Sequence, residues 1–161
     1  MTHNIVVGVD GSNNGFAALA AAADLAEQTG SELSVVFVHD PGTATAFAAG
    51  YDGGAELRIE QSIAELEVAS RERTFDLLAN RPVKWTFDIV AGEAVHELID
   101  VAKSRAATLI VVGGRGHSLI GGLVLGSVAQ KLVRSSPISV LVVRQPDIND
   151  QRRAVQHQSA P

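Results

Sequence analysis

The residues whose types and spacing are best suited to bind a ligand lie between positions 113 and 127. Their order is Gly-Gly-Arg-Gly-His-Ser-Leu-Ile-Gly-Gly-Leu-Val-Leu-Gly-Ser. They follow a predicted buried strand and precede a predicted helix, and ligands of open α/β sheets bind at such transitions. Because glycine has no Cβ, backbone amides there can approach a phosphate closely. The free amides near Gly126 and Ser127 would add about 0.3–1 kcal/mol through the helix dipole. The segment therefore predicts a phosphate site, and the alternative is glycines that serve turns and a serine that caps the helix.

Two better-known phosphate motifs do not match this chain. The glycine spacing from 121 to 128 is that of a Walker A loop, but Ser127 and Val128 stand where that loop needs Lys and then Ser or Thr. The first predicted strand ends in Gly-Val-Asp-Gly-Ser-Asn-Asn-Gly, at positions 8–15, which is not the G-x-G-x-x-G fingerprint of dinucleotide sites.

Asp10 lies at the carboxyl end of the first predicted strand, beside Gly11 and Ser12. A carboxylate there would repel a triphosphate unless a divalent cation stands between them, or unless it binds ribose hydroxyls instead. The alternative is an Asx turn that caps the following helix. The sequence leaves both interpretations open.

The elements that must position these residues alternate between short β-branched runs and longer helical segments, which is typical of a parallel α/β sheet. The segment 83–90 mixes charged and apolar residues and predicts an edge strand, blunted by Lys84 and Asp88. The stretch 41–54 is expected to be a mobile loop, and 145–161 a disordered polar tail. The predicted strands are 5–10, 33–39, 83–90, 108–113 and 138–143, and the predicted helices are 13–29, 55–80, 93–105 and 127–135.

Composition narrows the class of protein. The 161 residues fit one domain, and 13 Lys and Arg against 18 Asp and Glu give a net charge of −5, which argues against nucleic-acid binding. The absence of cysteine excludes disulfides, thiolate metal sites and thiol catalysis, and it favours the cytoplasm. Neither a signal peptide nor an apolar run of the ~20 residues needed to span a membrane is found in the sequence.

The chain resembles the universal stress protein family, on two stretches of residues in the matching order of elements. These are Val9-Asp10-Gly11-Ser12 at the first strand exit and Gly113-x2-Gly116-x9-Gly126-Ser127 before the last helix. The resemblance runs from Asn4 to Arg144, so it predicts a nucleotide-binding domain over 1–144 and a tail over 145–161. In that family the three-glycine spacing marks members that bind ATP. The resemblance also implies a three-layer fold with helices on both faces of a five-stranded parallel sheet in the order 3-2-1-4-5, and dimers paired through the fifth strand.

The same resemblance implies a role for each matching residue. Gly113 would lie behind the ribose, Gly116 and the Gly126-Ser127 pair would hold phosphates, and Asp10 would lie near the ribose or Mg²⁺. Gly11 and Ser12, next to Asp10, would belong to the same nucleotide-binding site. Adenine would meet Val38, with Val112 and Val128 as apolar wall. His39 stands where relatives often carry an apolar residue.

The leading hypothesis is therefore an ATP-binding regulatory protein of the stress response, with an unidentified protein partner. Nucleotide occupancy would order the loops 41–54 and 114–125, and strands 138–143 of two copies would pair. The alternatives are a dimeric scaffold that needs no nucleotide, a binder of AMP or cyclic AMP, and a slow ATPase. No nucleophile motif is found, so no catalytic residue is assigned. His96 is expected on a solvated helix face, and His117 is expected to be exposed.

Overall fold

A computed structural model describes residues 3–40, 54–114 and 125–145, without the side chains of 54–59. The predictions for the stretch 41–53, for Gly116, His117 and the rest of 115–124, and for the tail from 146 lie outside these residues. The elements are β1 (Asn4–Val9), α1 (Asn13–Thr29), β2 (Glu32–His39), α2 (Gly54–Leu78), β3 (Trp85–Ala91), α3 (Ala94–Ser104), β4 (Ala107–Gly113), α4 (Ser127–Ser135) and β5 (Ser139–Val143).

The five strands form one parallel sheet in the order β3-β2-β1-β4-β5, which confirms the expected fold. Each predicted element is present, with its ends shifted by two residues at most. The central strand β1 has five of its six residues buried, as its nearly continuous apolar run predicts. The edge position of β3 is confirmed, and β5 forms the opposite edge.

Helices cover both faces of the sheet, so the apolar residues divide into two cores. Helices α1 and α2 pack on one face, around Val7, Leu19 and Val35. Helices α3 and α4 pack on the other, around Val6, Leu98 and Leu132. The chain changes face between β3 and β4, so the connections from neighbouring strands β1 and β4 run to opposite sides. This places a crevice between their carboxyl ends.

Helix α1, which starts at this crevice, is capped at both ends and packs closely on the sheet. Ser12 caps it by accepting a hydrogen bond from the amide of Gly15 at 3.1 Å, and it ends at Gly30, whose φ of 66° is left-handed. Small side chains let the helix approach the sheet closely. The fully buried alanines are Ala18, Ala22 and Ala23.

Within the described residues, no helix is both long and apolar enough to cross a membrane.

Candidate functional site

A cavity of about 300 Å³ opens at the carboxyl ends of β1 and β4, at the point where the chain connections diverge. Its walls come from the ends of β1, β2 and β4, from the starts of α3 and α4, and from Gly15 in the first turn of α1. The lining residues are Gly8, Val9, Asp10, Gly15, Val36, Val38, Ala94, Leu98, Val112, Gly113, Gly126, Ser127, Val128 and Ala129.

Asp10 borders this cavity and is also part of a turn. Its Oδ1 accepts hydrogen bonds from the Ser12 amide at 3.0 Å and from the Ser12 hydroxyl at 2.6 Å. These bonds form the Asx turn that the sequence left open, and Ser12 in turn caps α1. The turn fixes the direction of the carboxylate, so the Asx turn and a ligand-binding role for Asp10 are compatible.

Gly11 and Ser12 are absent from the described cavity lining. Gly11 has a φ of +82°, and a Cβ on it would lie 2.5 Å from Cδ1 of Leu66 in α2. The described contacts therefore give Gly11 a conformational and packing role, and give Ser12 a capping role.

Gly113 lines the cavity, but its lack of a side chain also has a packing reason. A Cβ at this position would lie 2.7 Å from the carbonyl carbon of Asn14 and 2.9 Å from the amide nitrogen of Gly15. The end of β4 and the start of α1 can therefore come together only if residue 113 is glycine.

The start of α4 presents backbone amides at the same cavity. Gly126 occupies the cap position and makes no side-chain capping bond, so the alternative in which Ser127 caps this helix is wrong. The Gly126 amide is already bonded to the carbonyl of Gly114 at 2.6 Å. The amides of Ser127, Val128 and Ala129 begin the helix, where no intrahelical carbonyl is available to them. Ser127 itself is exposed.

An apolar wall faces these amides. Val38, Val112 and Val128 all line the cavity, where the resemblance expected the wall to be. No site role was predicted for the other residues of the lining, which are Gly8, Val9, Gly15, Val36, Ala94, Leu98 and Ala129. A signal existed for Val36, because strand residues two apart share a face with Val38. The requirement for a small residue at Gly8 depends on tertiary packing and has no local signal, because a Cβ there would lie 3.1 Å from Cδ1 of Leu98.

His39 is absent from the described lining of this wall. Successive strand residues point to opposite faces, and the Nδ1 of His39 lies 3.6 Å from Oε1 of Glu67 in α2. The unusual residue at 39 therefore leaves the described apolar wall unchanged.

A charged group lies beside the start of α3. Glu93 caps α3 by accepting a hydrogen bond from the His96 amide at 3.0 Å, and its Oε1 lies 3.6 Å from Nζ of Lys131 in α4. Partial burial acts to raise the pKa of Glu93, but the His96 bond and the Lys131 charge together outweigh it, so the pKa falls below the ordinary 4.5. His96 is exposed, as expected. Within the described part of the chain, no three His, Cys, Asp or Glu cluster as metal ligands would.

Comparisons with known proteins identify the family of this chain and agree with its fold. The model of the universal stress protein family matches residues 1–144. The universal stress protein YxiE of Bacillus subtilis is 32% identical over 151 residues, which cover 89% of this chain and all of that protein. The solved structure of the universal stress protein UspA from Lactobacillus plantarum has a TM-score of 0.71 at 24% identity, over 88% of this chain and 97% of its own. A universal stress protein solved in complex with cAMP has a TM-score of 0.60 at 26% identity, over 89% and 97%.

Proposed function

The chain belongs to the universal stress protein family, and we propose that it is a stress-response protein that binds ATP with Mg²⁺ in the cavity between β1 and β4. The observation that carries the proposal is that one cavity combines an apolar wall, a carboxylate and an uncapped helix start. Adenine, ribose and phosphates need these three kinds of surface, in that order.

The apolar wall would hold the base. Val36 and Leu98 also line the cavity and add apolar surface to the wall formed by Val38, Val112 and Val128. Small-molecule sites have volumes of about 300–1,000 Å³ and are mostly apolar with a few placed polar groups. At about 300 Å³ the cavity is at the lower end of that range, so the outer phosphates would extend along the exposed rim at Ser127.

The start of α4 would hold the phosphates. The amides of Ser127 and Val128 lie at the positive end of the helix dipole, where an anion gains hydrogen bonds and about 0.3–1 kcal/mol of electrostatic energy. The Gly126 amide contributes indirectly, because its bond to Gly114 fixes the position of the helix start. Gly116 would add to this site from outside the described residues.

Asp10 would bind the ribose hydroxyls or the cation that accompanies the phosphates. It is the one carboxylate among the described lining residues, and its Oδ1 is oriented by Ser12. A single carboxylate suits Mg²⁺, which keeps several waters and binds through substrate phosphates. Magnesium would then enter as Mg-ATP.

Calorimetric titration with Mg-ATP tests the proposal. Ala94 lines the cavity and Ala64 lies on the exposed face of α2, so the same change at the two positions makes a matched pair. We expect Ala94→Leu to fill the cavity and weaken ATP binding at least tenfold, and Ala64→Leu to bind as the unchanged protein does. If titration of the unchanged protein with Mg-ATP gives no heat of binding, and Mg-ATP gives no shift of the melting temperature, the dimeric scaffold that needs no nucleotide is favoured.

Cyclic AMP is a second candidate ligand, because one solved relative was crystallised with cAMP. The apolar wall would serve either nucleotide, whereas the amides of α4 favour the ligand with more phosphate charge. We expect ATP to displace cAMP and AMP in competition. A cAMP affinity above that of ATP would replace the proposed ligand with cAMP.

We propose binding without efficient turnover. A hydrolase needs a base within hydrogen-bond reach of an attacking water. Asp10 is the candidate among the described lining residues, and its Oδ1 already accepts two hydrogen bonds from Ser12. Phosphate release above background that disappears in Asp10→Ala would instead support slow ATPase activity.

A further inference from the structure

Gln130, in the first turn of α4, holds two consecutive backbone carbonyls. Its side-chain Nε2 donates to the carbonyl of Leu125 at 2.7 Å, and its backbone amide donates to the carbonyl of Gly126 at 3.0 Å. The second bond is an ordinary helical bond, whereas the first is specific to this side chain. We infer that Gln130 is a positioning residue that sets the direction of the peptide groups at the start of α4, and thereby makes ligand affinity depend on phosphate.

The geometry of one peptide group links the side chain of Gln130 to the amide of Gly126. In a trans peptide the C=O and the N–H point in opposite directions. The carbonyl of Leu125 shares its peptide with the amide of Gly126, so when Gln130 holds that carbonyl, the amide must point away from the side chain. There it meets the carbonyl of Gly114 at 2.6 Å. One side chain thus fixes both halves of this peptide.

Three hydrogen bonds consequently hold the two described ends of the glycine-rich segment, Gly114 and Leu125–Gly126, in place. Gly114 accepts from Gly126, its own amide donates to the carbonyl of Val143 at 2.7 Å, and Gln130 holds Leu125. This chain of bonds ties the start of α4 to the ends of β4 and β5. These bonds fix the position of Gly126, and therefore the direction in which the free amides of Ser127 and Val128 point.

Without the side-chain donor, the Leu125–Gly126 peptide would be held, among the described bonds, only by the one from the Gly126 amide to Gly114, so it could rotate more readily. Glycine permits such rotation more readily than any other residue, since it has no Cβ to clash. Such a rotation would shift Gly126 and, with it, the start of α4, where the amides of Ser127 and Val128 would meet an anion. Gln130 therefore keeps the amides of Ser127 and Val128 in one orientation.

This inference rests on the proposed function and adds a specificity to it. The apolar wall would bind adenosine and ATP alike, whereas the described hydrogen bonds of Gln130 go to Leu125 and Gly126 at the start of α4. The oriented amides act on phosphate alone. Gln130 therefore favours phosphorylated adenine nucleotides over the free nucleoside.

The test combines two measurements on Gln130→Met, which keeps the length of the side chain and removes its N–H donors. We expect the Gly126 amide to exchange with solvent at least fivefold faster in the ligand-free protein, measured by NMR. We also expect about fivefold weaker binding of Mg-ATP, the usual effect of one lost hydrogen bond, with adenosine binding changed less than twofold. The control Gln28→Met, on the exposed far end of α1, should change neither.

Several results would overturn the inference. Unchanged exchange at Gly126 contradicts the structural step, and equal losses for ATP and adenosine reduce Gln130 to a general packing role. Gln130→Glu has nearly the same shape and no N–H donor, so wild-type exchange in that variant also refutes the inference, and it decides the matter if the Met variant does not fold. If the unchanged protein binds neither ligand, the proposed function fails, while the exchange measurement still decides the role of Gln130.

Discussion

Replacing Ser127 by Asp should strengthen the fold and weaken nucleotide binding at the same time. Ser127 is the exposed first residue of α4, and no side chain of the described residues caps that helix. A carboxylate there interacts favourably with the helix dipole by about 0.3–1 kcal/mol. At roughly 2–4 °C per kcal/mol for a protein of this size, the melting temperature of the ligand-free variant should rise by about 1–4 °C.

The same carboxylate would repel a phosphate. Two unit charges about 5 Å apart repel by roughly 3 kcal/mol at an effective dielectric constant of 20. Because Ser127 is exposed, solvent screening reduces this to about 1.4–2.7 kcal/mol, which is a 10- to 100-fold loss of affinity. If the proposed binding holds, nucleotide at a hundred times the wild-type Kd would add about 2.7 kcal/mol of stability to the unchanged protein, but only about 0.4 kcal/mol to a variant that binds 100-fold more weakly.

Thermal unfolding without Mg-ATP measures the change in stability of the fold, and the shift on adding Mg-ATP measures the change in nucleotide affinity. Gln28→Glu adds the same charge at the far end of α1 and should leave the nucleotide shift intact, which controls for net charge. Ser127→Ala removes the hydroxyl without adding charge, so it should cost less affinity than Ser127→Asp. A Ser127→Asp protein that melts earlier without ligand, or one that keeps the full nucleotide shift, would refute the placement of phosphate at the start of α4.

Three further predictions follow from other parts of the fold. Gly113→Ala should destabilise the protein by about 1–3 kcal/mol in urea unfolding, because the new methyl group overlaps the Asn14 backbone; wild-type stability would contradict the close contact. The open edge of β5 is proposed to pair two copies, and light scattering should give about twice 16.8 kDa. Val142→Pro should yield monomers, since the Val143 carbonyl faces β4 and residue 142 therefore points its amide to the open edge; a dimer that survives this change argues against that interface. Glu93 has a lowered pKa in the folded protein, so it stabilises the fold above pH 4.5 and that contribution is lost as the pH falls through the folded value. Glu93→Gln should be slightly less stable at pH 7, and the difference should shrink as the pH is lowered below 4.5; a difference that stays constant with pH would contradict this.

The fold could be predicted from the sequence because its signals are local. Continuous apolar runs mark strands covered on both faces, and Ser12 and Gly30 mark the ends of α1 by their capping chemistry. The helix from Ser127 to Ser135 was predicted with the bounds that the structure shows, since Pro137 follows it closely. The order of the strands was not derivable from these patterns, and it came from the family resemblance.

The candidate site was predictable only in part, because much of it depends on contacts between distant residues. Val112 and Val128 were found through the resemblance, whereas Leu98 reaches the cavity because α3 packs against β1 and β2. The packing reason for Gly113 requires the position of Asn14, which no local pattern supplies. The carbonyl contact of Gln130 was invisible for the same reason, since an isolated helical glutamine gives no sign of its partner.

The crowding around Gly113 bears on how such chains diverge over time. A descendant that binds no nucleotide would still have to keep glycine here for as long as α1 and β4 touch as they do in this chain. Among relatives, glycine at this position therefore records ancestry of the scaffold and says little about whether a given lineage still uses a nucleotide.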